Sequence, residues 1–209
     1  IRYINQNEKF DYLILMDGDG EDRAVEIKSL VNKIQSDPNT SVVAKRVKRS
    51  EGLFFKFLYQ MHKLITLLFT GKNINFGNYS CLTKKDADII SSKPSLWSSY
   101  SGTVKKFIKN FNEINSTRGL RYFGPSKMSF FKLLIHSLSI VAVFKLQVIL
   151  RSLVIIFALY FTNFFSQNIE NIIYFLLIIF NLVIFLISLR ESEKGLTESQ
   201  NNLSSIDNQ

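Results

Sequence analysis

A single cysteine, three prolines and two histidines are spread over 209 residues, and each scarcity removes a class of protein. Cys81 alone cannot close an intrachain disulfide, and without a CxxC pair or a Cys/His cluster there is no zinc module. A secreted, disulfide-stapled scaffold is excluded. The two histidines, His62 and His136, lie in apolar stretches and read as packed or interfacial residues. No segment repeats at a period of about 20 to 50 residues, so solenoids and propellers are excluded. The opening IRYINQNEKFDYLI lacks an initiator Met and the basic-then-apolar order of a signal peptide. It reads as a chain whose N-terminal part is missing.

What is abundant is apolar and positive. Nineteen Phe and 46% hydrophobic residues accompany 26 Lys+Arg against 17 Asp+Glu, a mixture foreign to disordered tails and collagen-like fibres. The two characters are segregated. Residues 1–147 hold 23 Lys+Arg and 12 Asp+Glu, whereas 148–209 hold 3 and 5. A basic domain of this kind faces nucleic acid or an anionic membrane. The chain carries no zinc module, helix-turn-helix or RNP string, and two apolar runs follow the basic part, which excludes nucleic acid as the partner.

Those runs, VILRSLVIIFALYFTNFF at 148–165 and IIYFLLIIFNLVIFLISL at 172–189, approach the roughly 20 residues that cross a bilayer. Arg151, the one charge, sits near an end from which it can snorkel. Between them SQNIEN is short and free of Lys and Arg, while Lys132, Lys145, Arg190 and Lys194 flank the pair. The positive-inside rule then puts both ends, and the basic domain, in the cytoplasm. The polar tail from 190 to 209 reads as disordered.

Ahead of the spans the pattern is α/β. Tyr12–Met16 is an apolar run of the form expected for a strand buried on both faces. Asp22 is placed to cap a helix carrying Ile27, Leu30, Val31 and Ile34, which Asp37-Pro38 ends. Ser41–Val47 is a second strand, so the order is βαβ and the expected sheet is mainly parallel. Phe76–Leu82 is a further strand, and Thr83 with Asp86 forms a capping box. The stripe Phe54, Phe57, Met61, Ile65 and Leu68 marks a helix over 53–69, and 129–145 is similar. Both suit either a core or the membrane interface.

The sharpest local chemistry is Asp17-Gly18-Asp19-Gly20-Glu21-Asp22 at the end of the first strand. Ligands bind beyond the carboxyl ends of strands in open α/β sheets, and carboxylates two apart suit Mg²⁺ or Mn²⁺ bridged to phosphate. A calcium EF-hand loop fails, since Asp22 stands where Gly is needed and Lys28 where Glu is needed.

YLILMDGDGED, RSEGLFFKFLYQMHKLITLLFTG, NFGNYS and RGLRYFGPSKMSFFKLL followed by two spans together resemble family 2 glycosyltransferases of the membrane-tethered branch. That branch is typified by dolichyl-phosphate mannose synthase and polyprenyl-phosphate glycosyltransferases. The resemblance implies that 1–127 is the C-terminal part of a GT-A (Rossmann-like) domain lacking its nucleotide-binding first half. An interfacial amphipathic helix at 128–147 and a two-span hairpin at 148–189 follow. It further implies an inverting, metal-dependent transfer of sugar from a nucleotide-sugar donor to a lipid or lipid-phosphate acceptor, with a homo-oligomer compatible. Residue by residue, Asp17 and Asp19 fall on the metal-binding DxD. Arg121, Gly124, Ser126 and Lys127 fall on the R-x-x-G-x-S-K string that handles phosphates, and Asp19, Arg121 and Lys127 take the catalytic positions. Arg46 and Arg49 fall on basic positions of a loop before the amphipathic helix.

One departure stands out. Where members of the branch carry an acidic G-D-F-R-type string, this chain reads Asn75-Phe76-Gly77-Asn78-Tyr79-Ser80. An alcohol acceptor would need a general base there, but a phosphate monoester, with a second pKa of about 6, is already an oxyanion. Asn78 and Tyr79 remain candidates for positioning an acceptor by hydrogen bonds. A non-enzymatic membrane accessory protein with a degenerate site is the alternative.

Overall fold

The computed structural model describes residues 1–48, 53–122, 124, 129–162 and 164–207. Four strands form one mixed sheet: β1 (Tyr12–Leu15), β2 (Val42–Lys48), β3 (Phe76–Thr83) and β4 (Asn112–Thr117), in the order β1-β3-β2-β4. β3 runs antiparallel to both neighbours, and only β2 and β4 pair in parallel. The βαβ order is therefore present, but the mainly parallel sheet is not. β3 enters between β1 and β2, an insertion that period-2 patterning cannot encode. β1 also departs from expectation: it is an edge strand, with Tyr12 exposed and the other three residues only half-buried.

Strand alternation sorts the core into two faces. Val42, Ala44, Tyr79 and Cys81 point to one face, where Leu30 and Ile34 of α2 (Ile27–Ser36) cover them. Val43, Phe76 and Leu82 point to the other, beneath Ala87 and Ile90 of α4 (Lys84–Ser91) and Val104 of α5 (Tyr100–Phe107). α1 (Arg2–Asn7) precedes the sheet, and its Arg2 donates to the Ser91 carbonyl at the end of α4. Thr83 caps α4 by accepting from the Asp86 N–H at 3.2 Å, as its spacing predicts. Asp22 does not cap α2. A turn of 3-10 helix (Ala24–Glu26) intervenes, and Asp22 turns back to accept the Asp17 N–H at 2.9 Å.

A helical bundle forms the third core. Phe69 of α3 (Leu53–Thr70), Val141 and Ala142 of α6 (Phe130–Ala142), Val148 of α7 (Lys145–Thr162), and Leu177 and Ile184 of α8 (Gln167–Ser188) pack together. α5 joins this bundle to the sheet. A Cβ at Gly102 would lie 3.0 Å from Val143 Cγ2 and 3.2 Å from the Ile140 carbonyl, so the absent side chain permits the close approach.

α7 and α8 are long and apolar enough to cross a bilayer, and 11% and 17% of their most apolar stretches are buried. The core helix of a soluble protein would be mostly covered, whereas Leu150, Phe157, Phe161, Phe175 and Ile178 are each more than half exposed. Two details differ from expectation. SQNIEN is not a plain connection, because α8 begins at Gln167 and buried Glu170 accepts the Phe165 N–H at 3.3 Å. Arg151 does not merely snorkel: its Nη1 donates to the Leu68 carbonyl at 3.0 Å and tethers the C-terminal end of α3 to α7.

The described part of the tail is helical. α9 (Glu193–Asp207) returns to the α/β part, where Glu193 pairs with Arg2 at 2.6 Å, Leu196 is buried and Gly195 packs on the Trp97 ring. Low average hydrophobicity hid the few apolar positions that dock it.

Candidate functional site

Because β3 runs against the other three strands, its start lies at the same sheet edge as the carboxyl ends of β1, β2 and β4. The segments leaving those strands converge there. Asp17 follows β1, and its Oδ1 accepts Asn78 Nδ2 from β3 at 3.1 Å. The loop from Asp17 to Asp22 closes on itself through the Asp17–Asp22 bond and through Asp19 Oδ1, which accepts the Glu21 N–H at 3.0 Å.

After β4, residues 118–122 run back across this loop as a strap. Gly119 N–H donates to the Glu21 carbonyl at 2.8 Å and Tyr122 N–H to the Asp19 carbonyl at 2.9 Å. Arg121 then bridges two acids: Nη2 lies 3.1 Å from Asp19 Oδ2, and Nε donates to Glu21 Oε1 at 2.9 Å. Arg118 pairs with Glu21 as well. Two glycines make this approach possible. Gly20 has φ +91° beneath the Tyr122 ring, and a Cβ on Gly119 would stand 2.4 Å from the Gly20 carbonyl. Glu26 anchors the strap by accepting Ser116 Oγ at 2.6 Å and the Thr117 N–H at 3.0 Å.

Burial, the dominant cause, raises the Asp22 pKa, against the pull of its bond to the Asp17 N–H. Burial and then the charge of Arg121 lower the pKa of Arg118, which Asp19 and Asp17 offset. On the other side of Asn78, Ser80 Oγ donates to the Asn78 carbonyl at 2.9 Å and meets the Tyr100 hydroxyl at 2.5 Å. Burial holds the Tyr100 phenol far above its ordinary range, so this chain stays protonated. A cleft of about 470 Å³ opens beside Asp17 and Asn78, between β1, Tyr100 and α9.

The structure therefore brings Asp17, Asp19, Asn78 and Arg121 together. Arg46 joins them, since its guanidinium lies over Gly77, with Nη2 2.5 Å from the place a Cβ would occupy. Tyr79 does not join them. It is 2% exposed on the α2 face, its hydroxyl donates to the Arg23 carbonyl at 2.8 Å, and burial first, then Glu26 and Asp22, push its pKa to about 12. Strand alternation explains the correction: Asn78 and Ser80 face one way and Tyr79 the other. Gly124 has φ +60°, and among the described residues nothing lies within 4 Å of a built Cβ, so its glycine serves the backbone conformation. Arg49, Ser126 and Lys127 lie outside the described residues.

Glu21 and Arg118 also carry the strap, and no motif marks either of them. Their only signal was composition: a third acid beside DGD, and a second Arg three residues before Arg121.

Asp17 and Asp19 present hard oxygen donors, and Asp19 is partly exposed. No group of three or more metal-ligating side chains gathers among the described residues. A magnesium-type cation needs only one or two protein carboxylates when water and phosphate complete its shell, so this donor set fits that class. Comparison of the chain with protein-family models, with curated proteins and with solved structures found no match.

Proposed function

We propose that the protein transfers a sugar, with inversion, from a nucleotide-sugar donor to a membrane-held acceptor, a polyprenyl phosphate. One observation carries the reading: Arg121 of the R-x-x-G-x-S-K string lies on Asp19 of the DxD, although about a hundred residues separate them in sequence. Arg121 and Asp19, one residue from each of two motifs that the resemblance assigns to one phosphate-handling centre, thus meet at the end of β1, where an α/β sheet binds ligands. Two exposed apolar helices beside that domain support a membrane-held acceptor.

In this mechanism an oxygen of the acceptor phosphate attacks the anomeric carbon, and the bond to the nucleotide diphosphate breaks through an oxocarbenium-like state. Asp17 and Asp19 would hold a divalent cation, which would supply charge neutralisation for the departing diphosphate. Arg121 holds anionic oxygens with its planar fork, and Lys127, by the same resemblance, adds a point charge. Asn78 orients by hydrogen bonding. No general base is required, because the acceptor arrives ionised. The catalysis is positional and electrostatic. The Lys/Arg asymmetry across the hairpin supports a cytoplasmic position for the site.

Arg121 already neutralises Asp19 and Glu21, and amides stand at Asn75 and Asn78, which favours the second reading, a non-enzymatic accessory protein. The deciding experiment incubates the intact protein with a panel of nucleotide sugars, Mg²⁺ or Mn²⁺ and polyprenyl phosphate, followed by mass spectrometry of the lipid. Sugar-phosphate lipid formed by the wild type and lost in Asp19→Asn supports transfer. No product from any donor, or equal product from the variant, removes it.

A further inference from the structure

The near end of the α7–α8 hairpin is tied to one side of the α/β part. Lys145 opens α7 and pairs with Glu191, just past α8, at 3.2 Å. Immediately before α7, the Val143 carbonyl accepts Lys106 Nζ from the last turn of α5 at 2.6 Å. Lys106 Nζ also stands 5.4 Å from the centroid of the Phe107 ring, and Lys93 Nζ stands 5.1 Å from the same ring. Lys93 precedes a turn of 3-10 helix, Pro94–Trp97, so the lysine and the indole share one short segment. Residues 189–192 join α8 to α9, and the first turn of α9 packs on Trp97: a Cβ on Gly195 would lie 2.8 Å from its Cε2. Half of Trp97 is exposed all the same.

The length of α7 sets the level of this group. Its 18 residues rise about 27 Å at 1.5 Å each, close to the roughly 30 Å of a hydrocarbon core, so a bilayer spanned by α7 ends near Lys145. Groups bonded to that end stand at the headgroup layer. Indole and ammonium are the two groups such a layer favours: Trp keeps its apolar body and its N–H in the zone each prefers, and Lys is drawn to anionic lipid. The charges that act on Lys106 are Glu191 and Lys145, and Glu191 is already held by Lys145. The described acids of α4 and α9 are engaged as well. Asp86 accepts from Ser41, Asp88 pairs with Lys84, Glu193 with Arg2 and Glu198 with Lys194. Lys93 and Lys106 therefore leave the surface positive, a balance that a zwitterionic headgroup does not answer and an anionic one does.

We infer that Trp97, Lys93, Lys106 and the Phe107 ring shared by the two lysines form a contact surface for the anionic headgroups of the bilayer that the hairpin spans. The surface has no residue in common with the strand-end site and does not depend on sugar transfer; it rests on α7 and α8 crossing a bilayer. The α/β part is then held at two places, by the hairpin and by this surface. Its tilt on the membrane follows the local content of anionic lipid.

Trp97 is the only tryptophan of the 209 residues, so its emission reports its own depth. The intact protein is placed in nanodiscs of phosphatidylcholine, with or without phosphatidylserine, and Trp97 emission is read with lipids that carry a nitroxide on the headgroup or midway along the chain. The headgroup nitroxide should quench more than the mid-chain one. Quenching should increase with phosphatidylserine, and added salt should reverse that increment. Lys93→Gln should lose part of the increment and Lys93→Glu all of it. Lys28→Gln, on the α2 that covers the opposite face of the sheet, should leave it unchanged. Lys106→Gln should behave as Lys93→Gln does, but it also gives up the Val143 contact, so the Lys93 variants carry the decision. An unquenched Trp97, or equal quenching with and without phosphatidylserine, would overturn the surface, as would an increment that survives Lys93→Glu. Labelling of Gln167→Cys from outside together with an unquenched Trp97 removes this surface and leaves the spans, and failure of sugar transfer removes neither.

Discussion

Asp22 and Tyr79 illustrate how one side chain's surroundings decide its part. Asp22 is 4% exposed, and burial raises its pKa above the ordinary 3.8. The native state therefore holds that proton more tightly than the unfolded chain. The stability Asp22 contributes is full below about pH 3.8 and is lost as pH rises through its raised native pKa. Asn mimics the protonated carboxyl and keeps an acceptor for the Asp17 N–H, so Asp22→Asn should melt above wild type at neutral pH and level with it near pH 4. A gap in melting temperature that does not change between those values would remove burial as the cause. For Tyr79→Phe the expected loss is about 1 kcal/mol of stability, because the Arg23 carbonyl is left without its donor. Acceptor affinity should be untouched, while Asn78→Ala should change it. The reverse pattern in lipid titrations would return Tyr79 to the site.

At the scale of elements, the strap after β4 depends on backbone contact. Gly119→Ala puts a Cβ 2.4 Å from a carbonyl oxygen that has no side-chain freedom to yield, so the strap must lift and Arg121 must leave Asp19. Hydrogen exchange at 119–122 should accelerate at least ten-fold, corresponding to a loss of about 1.4 kcal/mol in local opening. Gly124→Ala meets none of the described residues and bears the left-handed φ, a cost of about 1 kcal/mol, and exchange at 119–122 should stay as in wild type. Identical protection in both variants would show that the close approach at Gly119 does not hold the strap. Arg151 plays a comparable part in the bundle. Arg151→Leu preserves apolar burial but frees the end of α3, so cleavage near Gly71 by added protease should quicken while α7 and α8 remain protected.

For the molecule as a whole, the decisive geometry is the hairpin. Lys145, the first residue of α7, pairs with Glu191 after α8 at 3.2 Å, so both ends of the hairpin meet on the side of the α/β part, and α9 packs there too. The turn with Ser166 and Gln167 is the far end. Cys81, the one native thiol, is buried, and burial pushes its pKa up to about 11, so it stays silent towards thiol reagents. Gln167→Cys in intact cells should then react with a reagent that cannot cross the membrane, while Lys194→Cys should react only after permeabilisation. Labelling in the opposite order would invert the orientation.

Several features were legible in the sequence because they are local or periodic. Alternation at Val42–Val43 and Phe76–Leu82 marks strands, the 3.6-residue stripe of Leu30 and Ile34 marks α2, Thr83 with Asp86 marks a helix start, and the two apolar runs mark α7 and α8. Net positive charge ahead of the runs is likewise a property of composition. The rest depends on which segments meet. Insertion of β3 between β1 and β2 is a choice among pairings that the same alternating pattern permits, and it turns a parallel unit into a mixed sheet. The same choice puts Asn78 beside Asp17 and buries Tyr79, since neighbouring strand residues face opposite ways. Arg121 reaches Asp19, Arg151 reaches Leu68 and Glu193 reaches Arg2 across long stretches of chain, through glycines and a few buried contacts that leave no periodic trace. Periodicity specifies a segment's own shape and its apolar side; the partner on that side is set by which combination buries those surfaces together, and that is a property of the folded whole.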